Sequence, residues 1–114
     1  MPEPIAHTLI HYTDGTGEDL FGEWLQSLLD MPTRAAIAAR LLRLELGLFG
    51  DSKALGKGLF ELRIDHGPGW RVYYGFQAGR IILLIAGSDK STQNSSIKAA
   101  YERLENWNQR SNTP

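Results

Sequence analysis

The sequence predicts a single α+β domain of 114 residues with a small, antiparallel-dominated sheet. Three observations carry this. Residues 59–65 and 71–76 alternate apolar and polar side chains with the period of two that strands have. Residues 81–86 are apolar on both faces, as in a strand covered from both sides. Three other segments repeat apolar residues at helical spacing. The expected order is β-α-α-β-β-β-α, with the helices packed on one face of the sheet. At this length one core forms, not two.

The elements follow in order. Ile5 to Tyr12 has the β-branched content of a short strand. His7 and His11 would then lie about 13 Å apart, too far to share a metal. Asp14 to Gly17 reads as a turn. Thr16 and Asp19 form a capping pair that opens a helix reaching about Leu29. Leu20, Phe21, Trp24, Leu25, Leu28 and Leu29 make its apolar stripe. A break at Asp30–Thr33 precedes a second helix, from about Thr33 to Leu46, with Pro32 suited to its start. Its alanines favour helix, and Ile37, Leu41, Leu44 and Leu48 are its expected buried line. Arg34, Arg40 and Arg43 fall largely on the other side, either as a solvated face or as a contact for rRNA or an acidic partner. Gly47 ends the helix.

Phe49 to Gly58 reads as a glycine-containing loop with Lys53 and Lys57, lacking the pattern of a nucleotide-binding loop. Three strands follow. His66-Gly67-Pro68-Gly69 reverses the chain between the first two, and Gln77-Ala78-Gly79 between the second and third. A last helix, capped by Ser91 or Thr92, runs to about Trp107 on Ile97, Ala100, Tyr101, Leu104 and Trp107. Residues 1–107 form the domain, and 108–114 read as a frayed tail.

Composition narrows the function. There is no cysteine, which excludes disulfides and thiolate metal sites. No run approaches the roughly 20 apolar residues of a membrane span, and the N-terminus lacks the features of a signal peptide. A cytoplasmic protein that uses neither membrane, metal nor small-molecule cofactor is expected. The net charge of −1 hides an asymmetry: residues 1–30 carry six acids and no lysine or arginine, so all twelve bases lie after them. The later part is the one able to meet nucleic acid.

If the apolar faces of strands 59–65 and 71–76 coincide, paired residues have numbers of equal parity. Glu61, Arg63, Arg71 and Tyr73 then share one face, with Ile81, Leu83 and Ile85 extending it as an apolar floor. Lys90 follows the last strand, and Lys53 and Lys57 flank the entrance to the first. Two neighbouring arginines beside a carboxylate suit an anionic phosphodiester, because guanidinium forks match phosphate oxygens. The alternative is a solvated, ion-paired sheet face.

The segments Leu41-Leu42-Arg43-Leu44, Gly47-Leu48-Phe49-Gly50-Asp51-Ser52-Lys53, Glu61-Leu62-Arg63-Ile64, Gly67-Pro68-Gly69-Trp70-Arg71-Val72-Tyr73-Tyr74 and Asp89-Lys90-Ser91-Thr92-Gln93 together resemble the RelE/ParE superfamily of bacterial toxins. More narrowly they resemble its phage-derived addiction module killer group, related to HigB. The resemblance spans about residues 18–107. It implies the toxin of a type II toxin–antitoxin module, a metal-independent endoribonuclease acting on mRNA at the ribosome and neutralised by a cognate helix-turn-helix antitoxin. A ParE-like gyrase poison, or a non-toxic member that only binds its antitoxin, is the alternative.

By the same resemblance Arg71 stands where a phosphate-binding arginine does, Arg63 near a strand lysine, and Lys90 near a basic residue after the last strand. The expected catalytic set is Glu61, Arg63, Arg71 and Lys90, and the expected RNA contacts are Lys53, Lys57 and Tyr73. Glu61 is the first candidate base, with Lys57 or Lys90 as substitutes. Lys90, Tyr73 or His66 is the candidate acid.

Overall fold

The computed structural model describes residues 3–111. Among them the elements are β1 (Thr8–His11), α1 (Leu20–Ser27), α2 (Met31–Glu45), β2 (Ser52–Gly56), β3 (Leu59–Ile64), β4 (Trp70–Gln77), β5 (Ile81–Asp89), a 3-10 turn (Lys90–Thr92) and α3 (Gln93–Ser111). The strands form one sheet in the order β1-β5-β4-β3-β2. β1 runs parallel to β5, and the other three pairings are antiparallel. The fold class is the α+β arrangement that the hydrophobic periods predict.

The layers differ from expectation. α1 and α2 cover one face, where Phe21, Ile37 and Leu44 pack with Leu62, Val72, Tyr74, Ile82 and Leu84. α3 covers the other, where Ala100 and Leu104 pack with Leu59, Tyr73, Leu83 and Ile85. Helices therefore lie on both faces rather than one. The doubly apolar β5 demands this, since either face left open would put a row of aliphatic side chains in water.

Boundaries shift for local reasons. Asp19, not Thr16, caps α1 by accepting from the Gly22 N–H, while Thr16 bonds Asp14. Asp30 caps α2 through the Thr33 N–H and hydroxyl. The expected loop before β3 contains β2, which pairs Lys53 with Glu61 and carries an irregularity between Ala54 and Gly56. Its few apolar residues suit an edge strand, whose signal is weak in sequence. Leu29 and Leu48, expected in the core, are 87% and 43% exposed. α3 continues to Ser111, four residues past Trp107. The expectations for Met1 and Pro2 and for the tail at 112–114 lie outside the described residues. No helix among those described is long and apolar enough to cross a membrane.

One irregularity positions the site. The β4–β5 register runs Gly75↔Leu83 and Tyr74↔Leu84, then shifts so that Tyr73 meets Ala86 and Arg71 meets Ser88. The extra residue in β5 reverses the alternation beyond it. Ser88 is thereby turned to the α3 side, beneath Tyr73, and Gly87 to the other side. A Cβ on Gly87 would come within 2.3 Å of the Trp24 ring, so only glycine fits there.

Candidate functional site

β3 and β4 pair Glu61 with Tyr73 and Arg63 with Arg71. The parity rule therefore places all four side chains as the sequence leads one to expect. β2 adds Lys53 to the Glu61 row. The group sits where the α3 N-terminus meets the ends of these strands.

Glu61 is the centre of the group and is 1% exposed. Arg63 Nε donates to its Oε1 at 3.0 Å, and Gln93 Nε2 donates to its Oε2 at 2.9 Å. Arg71 Nε lies 3.6 Å from the same Oε1, within ion-pair range but beyond a hydrogen bond. That Nε is buried and has no hydrogen-bond partner, while Arg71 Nη1 donates to the Gly69 carbonyl at 3.3 Å. Both guanidiniums are thus drawn to one carboxylate. The hydrogen bond and charge of Glu61 raise the Arg63 pKa above its ordinary value.

A buried carboxylate held this way orients the two arginines. Both of its oxygens are already occupied, by Arg63 and Gln93, in contrast to the exposed general base that the sequence leads one to expect. Tyr73 is revised likewise. It is fully buried and shares a hydrogen bond of 3.0 Å with Ser88. Burial raises its pKa, with the Glu61 charge adding to the rise. It offers neither a ring for a base to stack on nor a ready proton.

Three further candidates separate. Lys53 and Lys90 are exposed, Lys53 in the Glu61 row and Lys90 two residues beyond the Ser88 that pairs with Arg71. Lys57 sits in the turn before β3 and lines a cavity with Tyr101 and Leu104 of α3. About 13 Å of strand separates the start of β3 from Arg63, so Lys57 does not join the group. His66 falls in the turn between β3 and β4, toward Asp30 at the start of α2.

The histidines of the first strand are used locally. His11 Nδ1 lies 2.9 Å from the Asp19 carboxylate, and His7 Nδ1 lies 2.9 Å from the Ile5 carbonyl. Among the described residues, no three His, Asp or Glu side chains come together as metal ligands would.

Sequence reasoning missed four members. Gln93 occupies the second oxygen of Glu61; asking what satisfies both oxygens of a strand-borne acid would have pointed to a nearby donor. Ser88 depends on the β5 irregularity, which alternation does not reveal. Asp51 accepts the Arg63 N–H through its carbonyl at 2.8 Å and approaches Arg63 Nη1 to 3.7 Å through its carboxylate. Arg40, expected on the outer face of α2, instead folds inward and donates to the Phe49 carbonyl at 3.3 Å. Desolvation, then the neighbouring Arg43, lowers its pKa.

The model of the family described as phage-derived protein Gp49-like (DUF891) matches residues 23–105. The chain is also 49% identical over 80 residues to an uncharacterized protein of Haemophilus influenzae, an alignment covering 70% of this chain and 81% of that protein. The matched region contains every residue of the Glu61 group.

Proposed function

The chain belongs to the phage-derived Gp49-like family, and from that membership we propose that it is the toxin of a type II toxin–antitoxin module, an mRNA endoribonuclease of RelE/HigB type. The family's association with toxin–antitoxin modules supports the first part. The convergence of Arg63 and Arg71 on the buried Glu61 is the one observation that carries the second.

Cleavage through the 2′-hydroxyl requires stabilisation of a phosphorane, which carries more negative charge than the diester. Two guanidiniums pre-aimed by a buried carboxylate supply that without reorganising. Arg71 holds the scissile phosphate and Arg63 a second oxygen. The hydroxyl proton leaves to a lysine amine and the 5′-oxygen receives one; Lys53 and Lys90 are the exposed titratable groups beside the arginines. Glu61 and Gln93 position, and Tyr73 and Ser88 form the packed floor. The partners of this reading are mRNA on the ribosome and a cognate helix-turn-helix antitoxin.

The burial of Glu61 and Tyr73 favours a second reading, in which the cationic face binds a macromolecule such as gyrase without cutting RNA. Mapping transcript ends after induction separates the two. The nuclease reading expects discrete new ends inside translated messages and none with Arg71→Ala. Growth arrest with DNA double-strand breaks and intact messages overturns it in favour of the second.

A further inference from the structure

We infer that the cleft between α2 and the free end of β3 is a second phosphate subsite, one that takes the phosphodiester next to the one held by Arg71 on the same RNA strand. The cleft holds about 410 Å³ and is lined by Arg40 and Arg43 of α2, by Gly50 and Asp51, and by Arg63 and Asp65 at the end of β3. β2 begins at Ser52, opposite Leu62, so past Leu62 that edge of β3 has no strand beside it. The preceding loop and α2 close it instead. The Asp51 carbonyl accepts the Arg63 N–H at 2.8 Å, and Arg40 Nη2 donates to the Arg63 carbonyl at 3.5 Å. Arg63 therefore belongs to two groups at once. Its Nε is held by Glu61, while its Nη1 lies 3.7 Å from the carboxylate of Asp51, which lines the cleft.

Charge selects the occupant. Among the described residues neither Arg40 nor Arg43 forms an ion pair. Arg40 Nη1 is buried with no hydrogen-bond partner. It lies under Gly50, where a Cβ would come within 2.8 Å of it, so the loop covers this guanidinium closely only because residue 50 is glycine. Desolvation and the neighbouring Arg43 both disfavour the Arg40 charge. A buried cation without a counter-charge is costly, and an anion bound beside both arginines offsets that cost. Arg40 is then a fixed charge behind the cleft, and the exposed Arg43 and partly exposed Arg63 are the forks that reach phosphate oxygens. Asp51 and Asp65 oppose an anion, but both are exposed, where water and salt screen them. Arg63 and Arg71 pair across β3 and β4. The cations thus lead from Arg71 through Arg63 to Arg43, and a strand whose phosphate sits at Arg71 carries its next one toward the cleft.

This rests on the nuclease reading for the strand it names, and on the cleft for the added contact. The test uses the full chain and an RNA trinucleotide made uncleavable by 2′-deoxy substitution, with two internal phosphates and none at its ends. Its controls are the two forms in which one linkage is a neutral methylphosphonate. Calorimetry is expected to find the doubly charged probe bound about tenfold more tightly than either control. Arg43→Gln, at an exposed position, is expected to remove most of that gain with an unchanged melting temperature, and to lower the salt dependence of binding by about one phosphate contact. Arg34→Gln takes the same charge from another part of α2 and is expected to leave the gain intact. Equal affinity for all three probes, no binding of any, a gain that survives Arg43→Gln, or equal losses in the two variants overturns the inference. So does an oligoglutamate peptide that moves the Nε–H signals of Arg40 and Arg43 while the trinucleotide does not, since the occupant is then an acidic protein segment. A trinucleotide held at both sites of a chain that cuts no message leaves the subsite standing and removes the nuclease reading. Discrete cuts in messages, with the doubly charged probe bound no more tightly than its controls, do the reverse.

Discussion

Replacing Glu61 with glutamine tests whether that carboxylate organises the site. Glutamine keeps the size and one acceptor oxygen, so the Arg63 Nε bond survives in geometry. What disappears is the charge that two guanidiniums share, one at 3.0 Å and one at 3.6 Å. The new amide also meets the Gln93 amide, 2.9 Å from the present oxygen, and Gln93 must turn its own oxygen inward to avoid two opposed donors. A hydrogen bond to a charged group contributes about 1.5–3 kcal/mol. Arg71, with its side chain 15% exposed, has little water to replace the lost charge. The expected cost of Glu61→Gln is therefore about 2 kcal/mol, or a melting temperature lower by roughly 10 °C for a domain of this size. Glu61→Ala, which also opens a cavity and leaves the half-buried Arg71 without its carboxylate, costs about 3–5 kcal/mol. Thermal and urea unfolding followed by circular dichroism measure both. A Glu61→Gln protein as stable as the wild type, with growth arrest lost, refutes the positioning role and restores Glu61 as a chemical base.

Three other substitutions test separate links. Tyr73→Phe removes the buried hydroxyl bonded to Ser88 and is expected to lower stability by about 1–3 kcal/mol, the cost of an unsatisfied buried group, while growth arrest persists under folding conditions. Gly87→Ala forces a methyl onto Trp24 and is expected to destabilise by about 1–3 kcal/mol, with a shifted tryptophan emission as the local signature. Thr33 holds the Asp30 carboxyl below its ordinary value of 3.8 through its hydroxyl and its N–H. A depressed folded value means that this contribution is complete above the unfolded value and fades as pH falls through the folded one. The stability gap between wild type and Asp30→Ala should accordingly be constant near neutral pH and close below 3.8; urea unfolding across that range checks it.

Much of this arrangement is legible from side-chain periodicity, and the exceptions share a cause. Parity along 59–65 and 71–76 is enough to put Arg63 opposite Arg71 and Glu61 opposite Tyr73, because one buried face fixes register. The same rule fails at Ser88, since a single extra residue in β5 reverses the alternation and leaves no mark in composition. Which face Glu61 occupies can be read, but whether it is covered depends on where α3 starts, and that is a tertiary fact. Tyr73 misleads for the same reason: an aromatic beside arginines looks like a stacking platform until α3 is laid over its face. Leu29 fits the α1 stripe by spacing, yet the helix ends at Ser27 and its partner surface stops short. Arg40 resembles its neighbours Arg34 and Arg43, and only the path of the chain through Phe49 reveals carbonyls for it to hold.

The central claim is that Arg63 and Arg71 act together on one phosphate. The most direct measurement is NMR of arginine Nε–H signals during titration with a short RNA made uncleavable by 2′-deoxy substitution. Both signals are expected to move together in the wild type, and the Arg63 response should weaken sharply in Arg71→Ala. Binding that shifts Arg34 and Arg43 of α2 while leaving Arg63 and Arg71 unmoved would contradict the account.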